Sequence, residues 1–114
     1  MMRRRIGLVA CLLLSGCHSY HIDATIENRT GEPVRLLEVD YPSASFGTEA
    51  LAKDADYHYR FQVSGSGAMK VQYTAENGKQ VQITGLTLKE DQEGRLEIVL
   101  LPGGKAQFQP QLRP

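Results

Sequence analysis

The chain has no tryptophan and only two cysteines among its 114 residues, and both cysteines fall early, at Cys11 and Cys17. Everything after Cys17 is therefore without a thiol, which excludes an internal disulfide framework, a cysteine zinc site and a cysteine nucleophile from that part. Long apolar runs are also missing: the longest uncharged hydrophobic stretch is Ile6-Gly7-Leu8-Val9-Ala10-Cys11-Leu12-Leu13-Leu14. As a helix, nine residues reach only about 14 Å, against roughly 30 Å of bilayer hydrocarbon, so this run is too short for a permanent span. Charge of one sign is absent too, with 13 basic and 13 acidic residues. Nucleic-acid binders need clustered, excess Lys and Arg, and none stands out. No P-loop, dinucleotide fingerprint, EF-hand loop or G-x-S-x-G elbow is found, and a catalytic role is not expected.

What the chain does have is an ordered beginning. Arg3, Arg4 and Arg5 precede the apolar run, which closes on Leu14-Ser15-Gly16-Cys17. A basic start, a short apolar core and small residues before a cleavage point are the marks of an export signal. The order resembles a bacterial lipoprotein signal peptide, with Leu14-Ser15-Gly16-Cys17 in the place of the lipobox. The resemblance implies that residues 1–16 are removed by cleavage between Gly16 and Cys17, and that Cys17 carries the lipid. Membrane attachment through acyl chains on Cys17 follows, since two or three chains hold far better than one. In enteric-type sorting the residue after the cysteine matters. His18, rather than Asp, directs the expectation to the outer membrane, on its periplasmic face. Three of the thirteen basic residues leave with the signal and all thirteen acidic ones stay, giving a mature chain of 98 residues and formal charge −3.

The mature part reads as one domain over residues 21–109, after a tether over 17–20 and before a tail over 110–114. Ile22, Ala24 and Ile26 alternate with polar residues, the period of a strand with one buried face. Val34 to Tyr41 forms a second strand, whose phase slips at the adjacent Leu36 and Leu37, as a β-bulge or a region buried on both faces would make it. Residues 43–56 are the least regular. A single helical turn around 48–53, capped by Thr48, a crossover between sheets or a functional loop would fit them. Tyr57, Tyr59 and Phe61 share one face of a third strand, opposite His58, Arg60 and Gln62. Asn77-Gly78 joins the strands 69–74 and 79–84 in a hairpin, with a type I′ turn expected. Gly85 marks a kink before Leu86, and residues 95–101, apolar at their end, read as a central strand. Ala106 to Gln109 would be a short edge strand, with Pro110 and Pro114 ending the pairing.

Six or seven strands without a convincing helix predict an all-β fold: a small antiparallel β-sandwich of immunoglobulin-like type, with a small β-barrel as the alternative.

The chemistry-bearing residues are few. His18 and His21 have metal-ligand spacing, but on an extended strand they point to opposite faces, so no metal site is expected. His58 has no acid placed beside it, and Glu49, Asp54 and Asp56 lack the tight calcium-loop spacing. No cofactor is expected. Phe46, Tyr57 and Tyr59, near the irregular stretch, are candidates for a partner-binding patch, against the alternative that the aromatic stripe is core. Together these features predict a lipid-anchored envelope module that binds an envelope protein of unknown identity and no nucleic acid. A pilotin-like secretion accessory, an envelope inhibitor and a small-ligand binder are the other readings.

Overall fold

The computed structural model describes residues 20–114. Eight strands run in chain order: β1 (Ile22–Asn28), β2 (Val34–Tyr41), β3 (Ala44–Leu51), β4 (Asp56–Phe61), β5 (Gly67–Thr74), β6 (Gln80–Leu88), β7 (Glu93–Leu101) and β8 (Lys105–Arg113). They form two four-stranded sheets, ordered β4-β1-β7-β8 and β3-β2-β5-β6. The sheets pack face to face as a sandwich and not as a closed barrel. All pairings are antiparallel except that of β1 with β7, so the purely antiparallel expectation is corrected there. That parallel pair joins the first strand of the fold to a late one, and it places β7 centrally, as its apolar end suggested. The proposed signal, Gly16, Cys17, His18 and most of the tether lie outside the described residues.

The core is what the period-two pattern dictates. Ile22, Ala24 and Ile26 of β1 and Leu96, Ile98 and Leu100 of β7 are buried, facing Val34, Leu37, Val39, Met69 and Val71 of the other sheet. Each fully buried Ile, Leu or Met side chain contributes about 1.5–3 kcal/mol relative to exposure, and no disulfide supplements that term.

Four departures from sequence expectation have physical causes. The first is β3, where a helical turn was expected. Thr48 caps nothing; it pairs with Leu37 inside a ladder running from Val34↔Leu51 to Tyr41↔Ala44. The strand is hard to see because its buried residues, Phe46 and Leu51, are out of phase with one another. The slip lies opposite the bulge in β2, where the register with β5 shifts between Arg35 and Glu38 and Leu36 adopts φ 52°. The bulge at Leu36 and Leu37 is thus as expected. Gly47 lets the two backbones meet there, since a Cβ on it would lie 1.9 Å from the Leu37 carbonyl oxygen.

The second departure is the β5–β6 turn. The hairpin is as expected, but Gly78 N–H donates to the Ala75 carbonyl and Ala75 N–H to that of Lys79, with Gly78 at φ 85°. That is a three-residue loop built on a type I turn with a glycine bulge, instead of the two-residue type I′ form. Asn77 is not left-handed; its Oδ1 accepts from Lys79 N–H at 2.9 Å. Further along β6, the register with β5 shifts by one residue in the region of Gly85, the expected kink. The Phe108 ring fills the space there: a Cβ on Gly85 would meet it at 2.7 Å. Phe108 thereby closes the β6/β8 side of the sandwich.

The third departure is β8, which does not stop at Pro110. Pro110 faces Leu96, and pairing continues to Glu93↔Arg113. Gly94 N–H and the Leu100 carbonyl are both bonded on the β1 side of β7. Leu96, in the same phase, therefore also directs its backbone to β1, and Pro110 sits where no ladder bond is needed. Its missing N–H faces the open edge, which is where a strand tolerates proline. The expected tail is thus mostly strand. The fourth departure follows from these: the count is eight strands, against the six or seven expected.

Candidate functional site

Three surfaces carry side chains able to recognise something. The first is the aromatic seam between the edge strands β3 and β4. Phe46 stacks on Tyr59 with ring centroids 4.3 Å apart and interplanar angle 13°, and lies 5.4 Å from Phe61. Tyr41 packs on Phe61 at 4.4 Å. Phe46 and Phe61 are core residues, whereas Tyr57 is half-buried and Tyr59 is 40% exposed. The stripe expected on one face of β4 is therefore graded, from buried at Phe61 to open at Tyr59. Tyr57 donates its hydroxyl hydrogen to the Gly47 carbonyl at 2.9 Å, tying one sheet's edge to the other's. Of the three predicted patch residues, Phe46 supports the seam from beneath, Tyr57 bridges it and Tyr59 presents its surface.

The second surface is the outer face of the sheet β4-β1-β7-β8. The alternation that sends Ile22, Ala24 and Ile26 inward sends Asp23, Thr25 and Glu27 outward. Asn28 N–H bonds to the carbonyl of Ala55, just ahead of β4, so Thr25↔His58 and Asp23↔Arg60 are the non-hydrogen-bonded pairs, where side chains approach most closely. His58 Nδ1 duly lies 3.0 Å from Thr25 Oγ1, and Arg60 Nε lies 3.5 Å from Asp23 Oδ1. His58 thus bonds a hydroxyl rather than a carboxylate. Asp56 is drawn to Arg29, which binds Glu27 at 2.9 Å and Asp56 at 3.4 Å. Asp54, at φ 63°, serves the β3–β4 turn by donating its N–H to the Asn28 carbonyl. Among the described residues, no group of three or more His, Cys, Asp or Glu side chains converges as metal ligands would.

The third surface lies on the other sheet, beside the bulge. Leu36 is 58% exposed there, next to Glu38, whose Oε2 accepts from Gln72 Nε2 at 2.7 Å. Asp40, two residues on, has its carboxyl held above the usual carboxylate range. Burial is the main cause, followed by the hydrogen bond that protonated Asp40 donates to Glu38 and the negative charge of Glu38, with Lys70 opposing.

One residue that sequence reasoning missed is Asn28, a fully buried polar side chain among the described residues. Its Nδ2 donates to the carbonyls of Glu32, Leu51 and Ala52 at 2.8, 3.1 and 3.1 Å. Its Oδ1 accepts from Thr30 N–H and Oγ1–H at 3.1 and 2.7 Å. The signal was available: Asn28 continues the inward phase of Ile22, Ala24 and Ile26.

These features define a class, an eight-stranded two-sheet sandwich with no cysteine in the described residues. No protein-family model and no curated protein matches the chain. Among solved structures it is similar to an NMR structure of a protein from Eubacterium rectale, with TM-score 0.58 at 15% identity, covering 81% of this chain and 89% of that one. At that identity the likeness shows the fold alone.

Proposed function

We propose that this protein is a lipid-anchored module of the bacterial cell envelope, attached through Cys17 to the periplasmic face of the outer membrane, and that its domain binds another envelope protein without catalysing a reaction. The observation that carries this reading is the lipobox-like Leu14-Ser15-Gly16-Cys17 set only five residues before β1 begins at Ile22. So short a connection would hold the sandwich against the bilayer surface. The immunoglobulin-like assignment belongs to the same proposal; two packed sheets joined by repeated crossings between them support it. Within the domain, Tyr59 over Phe46, with Tyr57 beside them, is the patch assigned to the partner. An aromatic ring on a rigid, packed base loses little freedom when it is covered.

The test is the anchor. In cells fed labelled palmitate, the wild-type chain should take up label and yield a mature form beginning at residue 17. Cys17→Ser should remain an uncleaved, unlabelled precursor. Equal labelling of the two forms would overturn the proposal.

A further inference from the structure

Where the chain enters β1, three arginines line one open cleft of about 360 Å³. Arg60 stands near the end of β4, Arg95 near the start of β7 and Arg113 at the end of β8. The ladders gather them, because Asp23 pairs with both Arg60 and Arg95, and Glu93 pairs with Arg113. Two of the three have a carboxylate: Arg60 Nε lies 3.5 Å from Asp23 Oδ1, and Arg113 Nε lies 3.1 Å from Glu93 Oε1. Arg95 is exposed and has no carboxylate within ion-pair distance among the described residues. His21 borders the same cleft, and its ring Nδ1 is shielded from solvent with no hydrogen-bond partner among the described residues. A shielded polar atom left unpaired in a native fold calls for a partner.

The balance of charge selects the partner. Three guanidinium groups against Asp23 and Glu93 leave one positive charge, which matches the single negative charge of a phosphodiester. Guanidinium groups suit phosphate because their planar fork can donate two parallel hydrogen bonds to it. Position selects its source. His21 is four residues beyond Cys17, a reach of at most about 14 Å of extended chain. We propose that Arg60, Arg95, Arg113 and His21 bind the phosphate of a lipid headgroup, and so orient the sandwich on the membrane that holds it. The source of the phosphate rests on the anchored reading of Cys17; the cleft's chemistry does not.

The experiment uses the mature protein purified in a maltoside detergent. Dihexanoyl phosphatidylglycerol is added below its own micelle concentration, and the arginine Nε–Hε and histidine ring signals are followed by NMR. Saturable shifts at Arg60, Arg95, Arg113 and His21 are expected, with affinity at least about tenfold weaker in Arg95→Gln, the loss that one charge-assisted hydrogen bond commonly represents. Arg95 is exposed, so the variant should keep the dispersed wild-type spectrum. Equal shifts from sodium chloride at the same ionic strength would overturn the site. So would unchanged affinity in Arg95→Gln, or binding of inorganic phosphate without binding of the lipid. The intact mass of the same preparation reports on Cys17 separately. Acylated protein with an inert cleft would defeat the headgroup site alone, and unacylated protein with a responsive cleft would defeat the anchor alone.

Discussion

Where β1 ends, a single buried asparagine holds three separate segments; where β1 begins, the loops meet through exposed serine hydroxyls and a glutamate. At the first end, Asn28 joins the 29–33 loop to the β3–β4 turn through bonds to Thr30, Glu32, Leu51 and Ala52. At the other end, Ser43 Oγ accepts from Ser64 N–H at 3.2 Å, Glu90 Oε2 from Gly65 N–H at 3.3 Å, and Ser66 Oγ from Glu90 N–H at 3.2 Å. Water can replace a partner lost at the exposed end, but it cannot readily reach the buried one. Asn28 makes five such bonds against three at the exposed end, and the cost of losing each differs more than the number does. The fold thus concentrates its polar rigidity at the end where β1 finishes and leaves the arginine-bearing end, where β1 begins, adjustable.

The sharpest way to break that contrast is Asn28→Ala. The substitution strands the Leu51 carbonyl and leaves the Thr30 N–H without its acceptor, while the Ala52 carbonyl keeps its bond from the Ala55 N–H. A loss of about 3 kcal/mol is expected, at the high end for single substitutions, because several buried groups are orphaned together. Denaturant unfolding measures it. A loss below about 1 kcal/mol would mean that Asn28 is replaceable by water and that the two ends do not differ.

How much of this was legible in the sequence depended on local phase. Strands with clean alternation, such as β1 and the β5–β6 hairpin, were readable, and the Leu36-Leu37 doublet announced its bulge. β3 was not readable, because its partner's bulge shifts its own inward phase between Phe46 and Leu51. Asn28 heads the turn-prone run Asn28-Arg29-Thr30-Gly31, which competes with its place in the inward phase of β1. The phase of β1 points it inward, but two of the carbonyls that satisfy its amide, Leu51 and Ala52, lie 23 and 24 residues away in sequence, beyond any local pattern. The arginine cleft failed for the same reason: Arg60, Arg95 and Arg113 lie on three strands that only the strand order brings together.

At the exposed end, Ser43→Ala and Ser66→Ala should each cost less than about 1 kcal/mol, the range for a solvent-accessible hydrogen bond. The more telling readout is local. Amide exchange at Ser64 should quicken in Ser43→Ala, and at Glu90 in Ser66→Ala, while exchange at Asn28, bonded to the Ala55 carbonyl, stays at the wild-type rate. Equal quickening at Asn28 would show that the two ends open as one unit.

The smallest effect concerns Asp40, near the same end on the outer face of the second sheet. Its carboxyl is raised above the usual carboxylate range, first by burial, then by the hydrogen bond to Glu38 and the charge of Glu38, and Lys70 only partly offsets them. The folded chain therefore holds this proton more tightly than the unfolded chain does. Below the unfolded carboxylate range the group is protonated in both states and costs nothing. As pH rises through and above the raised folded value, ionised Asp40 opposes folding. Asp40→Asn removes that opposition, so it should stabilise the protein slightly at neutral pH, by less than about 0.5 kcal/mol as for other partly exposed sites. The gain over wild type should fade as the pH is lowered through the carboxylate range. Paired denaturant midpoints at neutral and acidic pH read the difference directly. A gain that grew on acidification would reverse the sign and show Asp40 bound to Lys70 as a stabilising ion pair, narrowing the contrast with the end that Asn28 closes.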